Sequence, residues 1–322
     1  MAPVPPAPTA LLLGCVKTKL DHRAKARDLY CSPLWQGRRS YAEVSGLPWL
    51  ILSAKYGLVD PESMIRPYDL ALGDLRANQQ RAWGERVVGS LQGRFGSLEG
   101  ETFEVHAGAP YRDAIRAPLT QRGADITEPL AGVSQGRQPQ WYAALRDLDS
   151  APTLIAAREW PGALQGLDQA GLYAWWVDAQ GARDLSLGLG HRVKPGRIYA
   201  GQTGATKWPS GTKGRATLRS RVGSNHLNGR IRGSTFRLTL ASALKGPLGL
   251  VCQSRKLDSI SEQRLSDWMG AHLLVAVHPF SDRDALGDLE DRVLATLAPP
   301  LNLDGMRATP LREALSRKRQ TL

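Results

Sequence analysis

In the first half of the chain, continuous apolar runs rich in β-forming residues occupy positions 10–16, 49–54, 103–107 and 125–130. Each is followed by a stretch with helical spacing: 33–44, opened by the N-cap and N1 pair Ser32-Pro33, then 75–91, 111–120 (broken by Pro118) and 139–148. Apolar strands that alternate with helices predict an α/β unit, a mostly parallel sheet with helices on both faces. The second half reads differently. Two strands bearing aromatic residues are predicted at 171–177 and 197–201, joined by a polar, glycine-rich connection long enough for an extended hairpin, and a helix is predicted over 216–222. The short polar stretch 147–152 contains a proline and puts a boundary near residue 150, giving units 1–150 and 151–322. The proline-rich first eight residues and the basic segment 317–319 are expected to fray.

Composition narrows the class. A chain of 322 residues, 42% hydrophobic and 22% charged, buries a core and has no apolar run of the ~18 residues that would span a bilayer. Leu12-Leu13-Gly14-Cys15 resembles a lipoprotein cleavage box, but residues 1–10 hold no Lys or Arg, so the run is expected as a buried strand. Three cysteines form neither a disulfide framework nor a paired zinc site, which points to a cytoplasmic protein. The formal charge of +12 is uneven: residues 1–150 carry 18 Lys/Arg against 16 Asp/Glu, residues 151–322 carry 24 against 14. From 207 to 237 there are eight basic residues (Lys207, Lys213, Arg215, Arg219, Arg221, Arg230, Arg232, Arg237) and no acidic one, a pattern expected of a phosphate-tracking groove.

Ligands of parallel sheets sit at the carboxyl ends of the strands. The loops there carry Cys15, Lys17 and Lys19 after the first strand, and Ser53, Lys55 and Tyr56 after the second, with Tyr68 and Asp69 beyond it. Gly108, Tyr111 and Arg112 follow the third. These residues are the expected N-terminal pocket, with lysines and an arginine suited to an anionic group. Neither a P-loop nor Gly-x-Gly-x-x-Gly follows the first strand, so no dinucleotide cofactor is expected.

Gly14-Cys15-Val16-Lys17-Thr18-Lys19, the segment from Ser53-Ala54-Lys55-Tyr56 to Val59, and Pro67-Tyr68-Asp69 resemble an uncharacterised bacterial α/β domain family over about residues 10–146. Element order and loop character also give a distant likeness to uracil-DNA-glycosylase-type domains.

The second half resembles the GIY-YIG nucleases over about residues 168–305. Gly171-Leu172-Tyr173 and Tyr199-Ala200-Gly201 stand for the two named tripeptides, with Leu172 and Ala200 replacing isoleucines and a 26-residue step between the tyrosines. Leu218-Arg219-Ser220-Arg221-Val222 matches the helix carrying the family arginine, with His226 five residues on; Glu290 and Asn302 match the metal-binding glutamate and supporting asparagine. The resemblance implies a C-terminal α+β domain with Tyr173, Tyr199, Arg221, His226, Glu290 and Asn302 in the catalytic site, Glu290 as metal ligand, and Mg²⁺ (or Mn²⁺) as cofactor.

Chemistry supports that assignment. Phosphodiester hydrolysis needs an activated water, charge neutralisation at phosphorus and a stabilised leaving oxygen. Glu290 is a hard oxygen ligand, and Arg221 suits bidentate phosphate binding. A tyrosine titrates near ~10, so Tyr173 acts as a base only with help, and Tyr199 can relay the proton or orient the water. His226 is expected either to assist the base or to protonate the leaving group. His272 and His278 are expected to be structural.

The sequence therefore points to a Mg²⁺-dependent DNA endonuclease in restriction or antiviral defence, acting on foreign DNA, whether plain or modified, with the N-terminal domain reading the target. The alternatives are a bifunctional DNA glycosylase–endonuclease and a binding protein with an inactive nuclease site. DNA is the expected partner and no membrane is; target, DNA-versus-RNA preference and oligomeric state (a homo-oligomer included) stay open.

Overall fold

The computed structural model describes residues 8–149 and 154–322. The expected fraying of residues 1–7 and part of the expected boundary, 150–152, lie outside the described residues. The chain divides into two compact units, Met1–Ala143 and Ala144–Leu322. The division falls inside the helix Gln138–Asp149, a few residues before the position expected from composition.

In the N-terminal unit, β1 (Ala10–Gly14), β2 (Trp49–Ser53), β3 (Gly57–Val59), β4 (Thr102–His106) and β5 (Asp125–Thr127) form one sheet in the order β3-β2-β1-β4-β5. Neighbours are parallel except for β3, which folds back antiparallel on β2. The reason β1 is apolar at every position is visible in its surroundings. Leu12 packs with Trp83, Val87 and Ile115, whereas Leu11 and Leu13 pack with Trp35 and Ile51. Residues 10–14 are thus the central strand, as expected, and the Leu-Leu-Gly-Cys resemblance is incidental.

Helices α1 (Pro33–Ser45), α2 (Ala77–Phe95), α3 (Ala109–Thr120) and α4 (Gln138–Asp149) follow the strands. Ser32 caps α1 by accepting from the Trp35 N–H (3.2 Å), and Gly46 ends it in the left-handed region at φ 70°. Pro118 does not break α3. It has no N–H to give the Ala114 carbonyl four residues back, and α2 makes its closest approach at that carbonyl: a Cβ on Gly84 would lie 1.9 Å from it.

The C-terminal unit has an antiparallel sheet. β6 (Ile155–Ala156), β7 (Gly171–Val177), β8 (Gly196–Thr203) and β11 (Leu273–Pro279) lie in the order β8-β7-β11-β6; β9 (Thr206–Lys207) and β10 (Thr212–Lys213) form a separate hairpin. Helices are α5 (Ala179–Leu189), α6 (Thr235–Leu244), α7 (Ser259–His272), α8 (Leu286–Leu297) and α9 (Pro310–Gln320).

Three expectations need correction here. The connection between the first two strands is not an extended hairpin but contains α5, capped by Asp178 accepting from the Gly181 N–H (2.7 Å). Two interior glycines, each costing about 1 kcal/mol in a helix, hide its propensity, while Ala182, Leu185 and Leu189 supply the buried face. The helix expected over 216–222 is a π-helix over Arg219–Leu227. Segment 317–319 does not fray; it forms part of the last turn of α9, where positive charge complements the helix dipole. Among the described residues, no helix is long and apolar enough to cross a membrane.

The α2–α3 contact is testable with two glycines of α2. Gly84→Ala should lower the unfolding midpoint, because its methyl overpacks against backbone by about 1–3 kcal/mol. Gly89→Ala, at an exposed site with nothing within 4 Å, should raise it by roughly 0.5–1 kcal/mol. Equal effects in denaturant titrations would show that the close approach does not govern this interface.

Candidate active site

Tyr173 and Tyr199 stand on adjacent strands. Tyr173 pairs with Gly201 and Tyr199 with Trp175, so both tyrosines project from one face of the sheet. The register shifts between Arg197 and Tyr199, which gives β8 one extra residue, Ile198. Such a bulge re-aims the side chains beyond it and sets Tyr199 on the face that carries Tyr173. Gly201 is required by contact: a Cβ there would stand 2.9 Å from the Tyr173 hydroxyl.

The Tyr173 hydroxyl meets His226 Nε2 at 2.9 Å, and His226 Nδ1 meets Ser234 Oγ at 2.7 Å. His226 is fully buried in a cage of Tyr173, Trp175 and Phe236 rings. Burial holds its imidazole well below the ordinary histidine value, with the Arg221 and Arg237 charges adding to the effect, so it is neutral at pH 7. Of the two roles expected for His226, only assistance to Tyr173 fits this placement, since both ring nitrogens face protein.

The π-helix explains how Arg221 and His226 serve one site. Five residues apart on an α-helix would put them roughly 140° apart in azimuth. Bonding from i to i+5, seen where the Asn228 N–H reaches the Gly223 carbonyl (2.9 Å), stacks them instead. The Arg221 guanidinium acts on Tyr173, Tyr199 and Glu290, and its buried Nε has no hydrogen-bond partner.

Burial raises the hydroxyl pKa of both tyrosines, and Arg221 opposes that rise. Glu290, on α8, has its carboxyl pushed up to about 7, first by burial and then by Asp291, while the Gln202 backbone and Arg221 pull it down. A desolvated carboxyl crowded by a second acid fits a divalent cation, and a site of one carboxylate completed by water and phosphate suits Mg²⁺. Among the described residues, no cluster of three or more His, Cys, Asp or Glu could hold a metal without such help.

Asn302 has a framework position. Its Oδ1 accepts from the Ala200 N–H (3.0 Å) and its Nδ2 donates to the Ala200 carbonyl (2.8 Å), which fixes β8 beside Tyr199. Arg312, not anticipated, donates to the carbonyls of Ala298, Pro299, Asn302 and Arg307 and so shapes the turn that presents Asn302.

The basic run divides. Lys207, Lys213, Arg215, Arg219, Arg230 and Arg232 are exposed, with Arg219 paired to Asp168. Arg237 is corrected: it is fully buried, pairs with Glu262 (2.7 Å) and donates to the carbonyls of His226 and Leu227, so it cannot meet DNA. His272 and His278 bond to Asp178 and Asp147, in keeping with structural roles.

In the N-terminal unit the strand ends bring part of the expected pocket together. Cys15 Sγ lies 3.1 Å from the Tyr111 hydroxyl, Tyr68 bonds Ser53 Oγ (2.7 Å), and Lys19 Nζ stands 4.4 Å from the Tyr68 ring centre. Tyr56 packs edge-on against Tyr68, Lys55 Nζ lies 5.3 Å from the Tyr56 ring centre, and Gly108 caps α3. Lys17 and Asp69 are exposed, and Arg112 is tied to Glu128 (2.8 Å) and is not a free cation of the pocket. Two participants were missed. Tyr30 bonds the Tyr68 hydroxyl (3.0 Å), and buried Arg38 donates to the Gly14 carbonyl (2.7 Å) at the end of β1. Arg38 shares the apolar face of α1 with Trp35 and Ala42, a spacing that marks a buried arginine. Burial pushes the hydroxyls of Tyr30, Tyr68 and Tyr111 upward, so this edge is a neutral, hydrogen-bonded aromatic surface.

Comparison with known families agrees with the geometry. Residues 171–321 match the GIY-YIG catalytic domain, and residues 10–144 match a family of unknown function, DUF6884. The chain thus carries a GIY-YIG nuclease domain, which implies an endonuclease acting on DNA. No curated protein and no solved structure matches.

The Glu290 environment makes a stability prediction. Its folded pKa of about 7 lies above the ordinary 4.5, so the folded protein holds a proton that the unfolded chain releases as pH rises through that window. Its contribution is most favourable below pH 4.5 and is lost as pH climbs through 7. Metal-free Glu290→Gln should therefore melt above wild type at pH 8 and with it near pH 5. Mg²⁺ at pH 8 should raise the wild-type Tm and leave that of the variant unmoved. A gap independent of pH would refute the desolvated-carboxyl account.

Proposed function

We propose that this protein is a DNA endonuclease of restriction or antiviral defence, in which the C-terminal unit hydrolyses phosphodiesters with Mg²⁺ (or Mn²⁺) and the N-terminal unit reads the target. The observation that carries the catalytic reading is the Tyr173 hydroxyl, held by neutral His226 and faced by Arg221 and Glu290. Glu290 would hold the metal, whose charge stabilises the phosphate and the leaving oxygen. The Tyr199 hydroxyl has no hydrogen-bond partner among the described residues and orients the attacking water. Tyr173 takes the proton of that water while passing its own to His226 Nε2, with Ser234 holding the far side of the ring. The water oxygen bonds to phosphorus, the P–O bond to the departing sugar oxygen breaks, and solvent protonates that oxygen. Arg221 binds a non-bridging oxygen, whose negative charge offsets the Arg221 contribution that adds to burial in holding the His226 pKa down, and so makes the imidazole a better acceptor.

A nuclease domain beside a second domain with an aromatic, lysine-flanked sheet edge fits recognition of foreign DNA, modified DNA included. Reading is favoured over base excision, because Asp69, the carboxylate expected to activate water in that pocket, is exposed and has no hydrogen-bond or ion-pair partner among the described residues.

Glu290→Gln should abolish strand cleavage, with at least a hundredfold loss expected for an electrostatic group of this kind, while DNA binding in gel shifts persists. Full activity would overturn the assignment. For the N-terminal unit, Lys19→Ala and Tyr56→Ala should erode preference among plain and modified phage DNAs without releasing free base. Appearance of free base with the wild-type protein would instead establish excision, and unchanged preference in both variants would remove this edge from recognition.

A further inference from the structure

The segment between Tyr199 and Arg221 contains a feature that the catalytic scheme does not use. β9 and β10 form a two-stranded hairpin whose turn carries Trp208-Pro209. Trp208 is 67% exposed, the one tryptophan so exposed among the described residues, and it lies between the exposed cations Lys207 and Lys213. None of Lys207, Lys213 or Arg215 has an acidic partner among the described residues, unlike Arg219. A large exposed ring beside lysines that have no acidic partner among the described residues suits a partner that offers both phosphates and flat bases.

The root of the hairpin is held as firmly as its tip is exposed. Arg283 Nη1 donates to the carbonyls of Gly204 and Gly214, each at 2.6 Å, which closes the base of the loop. Thr206 donates from Oγ1 to Asp284 (2.5 Å) and from its N–H to the Arg283 carbonyl (2.9 Å). The Gln202 side chain accepts from the Ala205 N–H (3.2 Å), and the Gln202 backbone reaches Glu290. The hairpin is thus anchored to the strand that carries Tyr199 and leads directly into the π-helix that carries Arg221.

We infer that the Trp208–Pro209 tip is a base-stacking wedge, which enters DNA beside the scissile phosphate and unstacks a base step there while Lys207, Lys213 and Arg215 hold the flanking backbone. The inference rests on the nuclease reading and adds what the hairpin does to the substrate. Wedges of apolar side chains distort duplexes in this way, and the distortion lets more backbone reach the protein.

The experiment uses the full-length chain in the cleavage-deficient Glu290→Gln background. Duplexes carry 2-aminopurine at successive positions around the cut mapped with wild-type protein. Fluorescence should rise at one or two adjacent positions, and the rise should vanish in Trp208→Ala and largely survive in Trp208→Phe. Trp208→Ala should also weaken duplex binding by at least about fivefold without changing the salt slope. Lys207→Ala with Lys213→Ala should reduce that slope by roughly 2 while the fluorescence rise persists at saturation. An unchanged melting temperature in Trp208→Ala would show that the loss is not one of folding. Salt-dependent binding with no fluorescence rise at any position overturns the wedge and leaves the nuclease reading standing. Failure of the wild-type protein to bind or cut DNA at all overturns both. A Trp208→Ala variant that keeps its DNA response but loses self-association in sedimentation makes the tip a protein contact and also overturns the wedge.

Discussion

The hydrogen bond between the Tyr173 hydroxyl and His226 Nε2, made wholly inside the C-terminal unit, is the constraint around which the candidate active site is arranged. A buried polar pair of this kind is tolerable only if every partner is supplied. Ser234 satisfies the far nitrogen of His226, and the same Oγ accepts from the Arg237 N–H (3.0 Å) to cap α6. Arg237 then closes the end of the π-helix through the His226 and Leu227 carbonyls, and Glu262 neutralises it. The order of the site therefore depends on a chain of hydrogen bonds that runs from Tyr173 through His226 and Ser234 to Arg237 and Glu262.

That arrangement separates the charged groups by purpose. Arg237 is spent on the fold, and its loss would leave the carbonyls of His226, Leu227 and Glu262 without its donors. Arg221, sixteen residues earlier, faces hydroxyls and a carboxyl whose own ionisation burial opposes. Burial thus pushes the Glu290 carboxyl up to about 7 and holds the His226 imidazole neutral, so both groups carry less charge than they would in water.

The N-terminal unit follows another logic. Its sheet edge is built from hydroxyls and a thiol that bond one another, with the cations Lys19 and Lys55 over the rings of Tyr68 and Tyr56. The C-terminal unit differs in that its exposed cations lie along one segment, residues 207–232.

The alternation of apolar runs and helical spacing was enough to place the four parallel strands and their helices within a few residues, because a strand buried on both faces must be apolar throughout. The tripeptides, Arg221, Glu290 and Asn302 were picked out by resemblance to the GIY-YIG nucleases, and the structure brings Tyr173, Tyr199, Arg221 and Glu290 within electrostatic reach of one another. What the sequence alone could not decide was everything set by packing between distant segments. Helix α5 forms despite two glycines because its buried face finds a core. The bulge at Ile198 decides which face Tyr199 occupies, and π-helical winding decides that Arg221 and His226 share a side. A run of eight cations reads alike in sequence, yet only the tertiary structure sends Arg237 inward and leaves Trp208 outside, because burial is a property of what surrounds a residue in space and not of its neighbours along the chain.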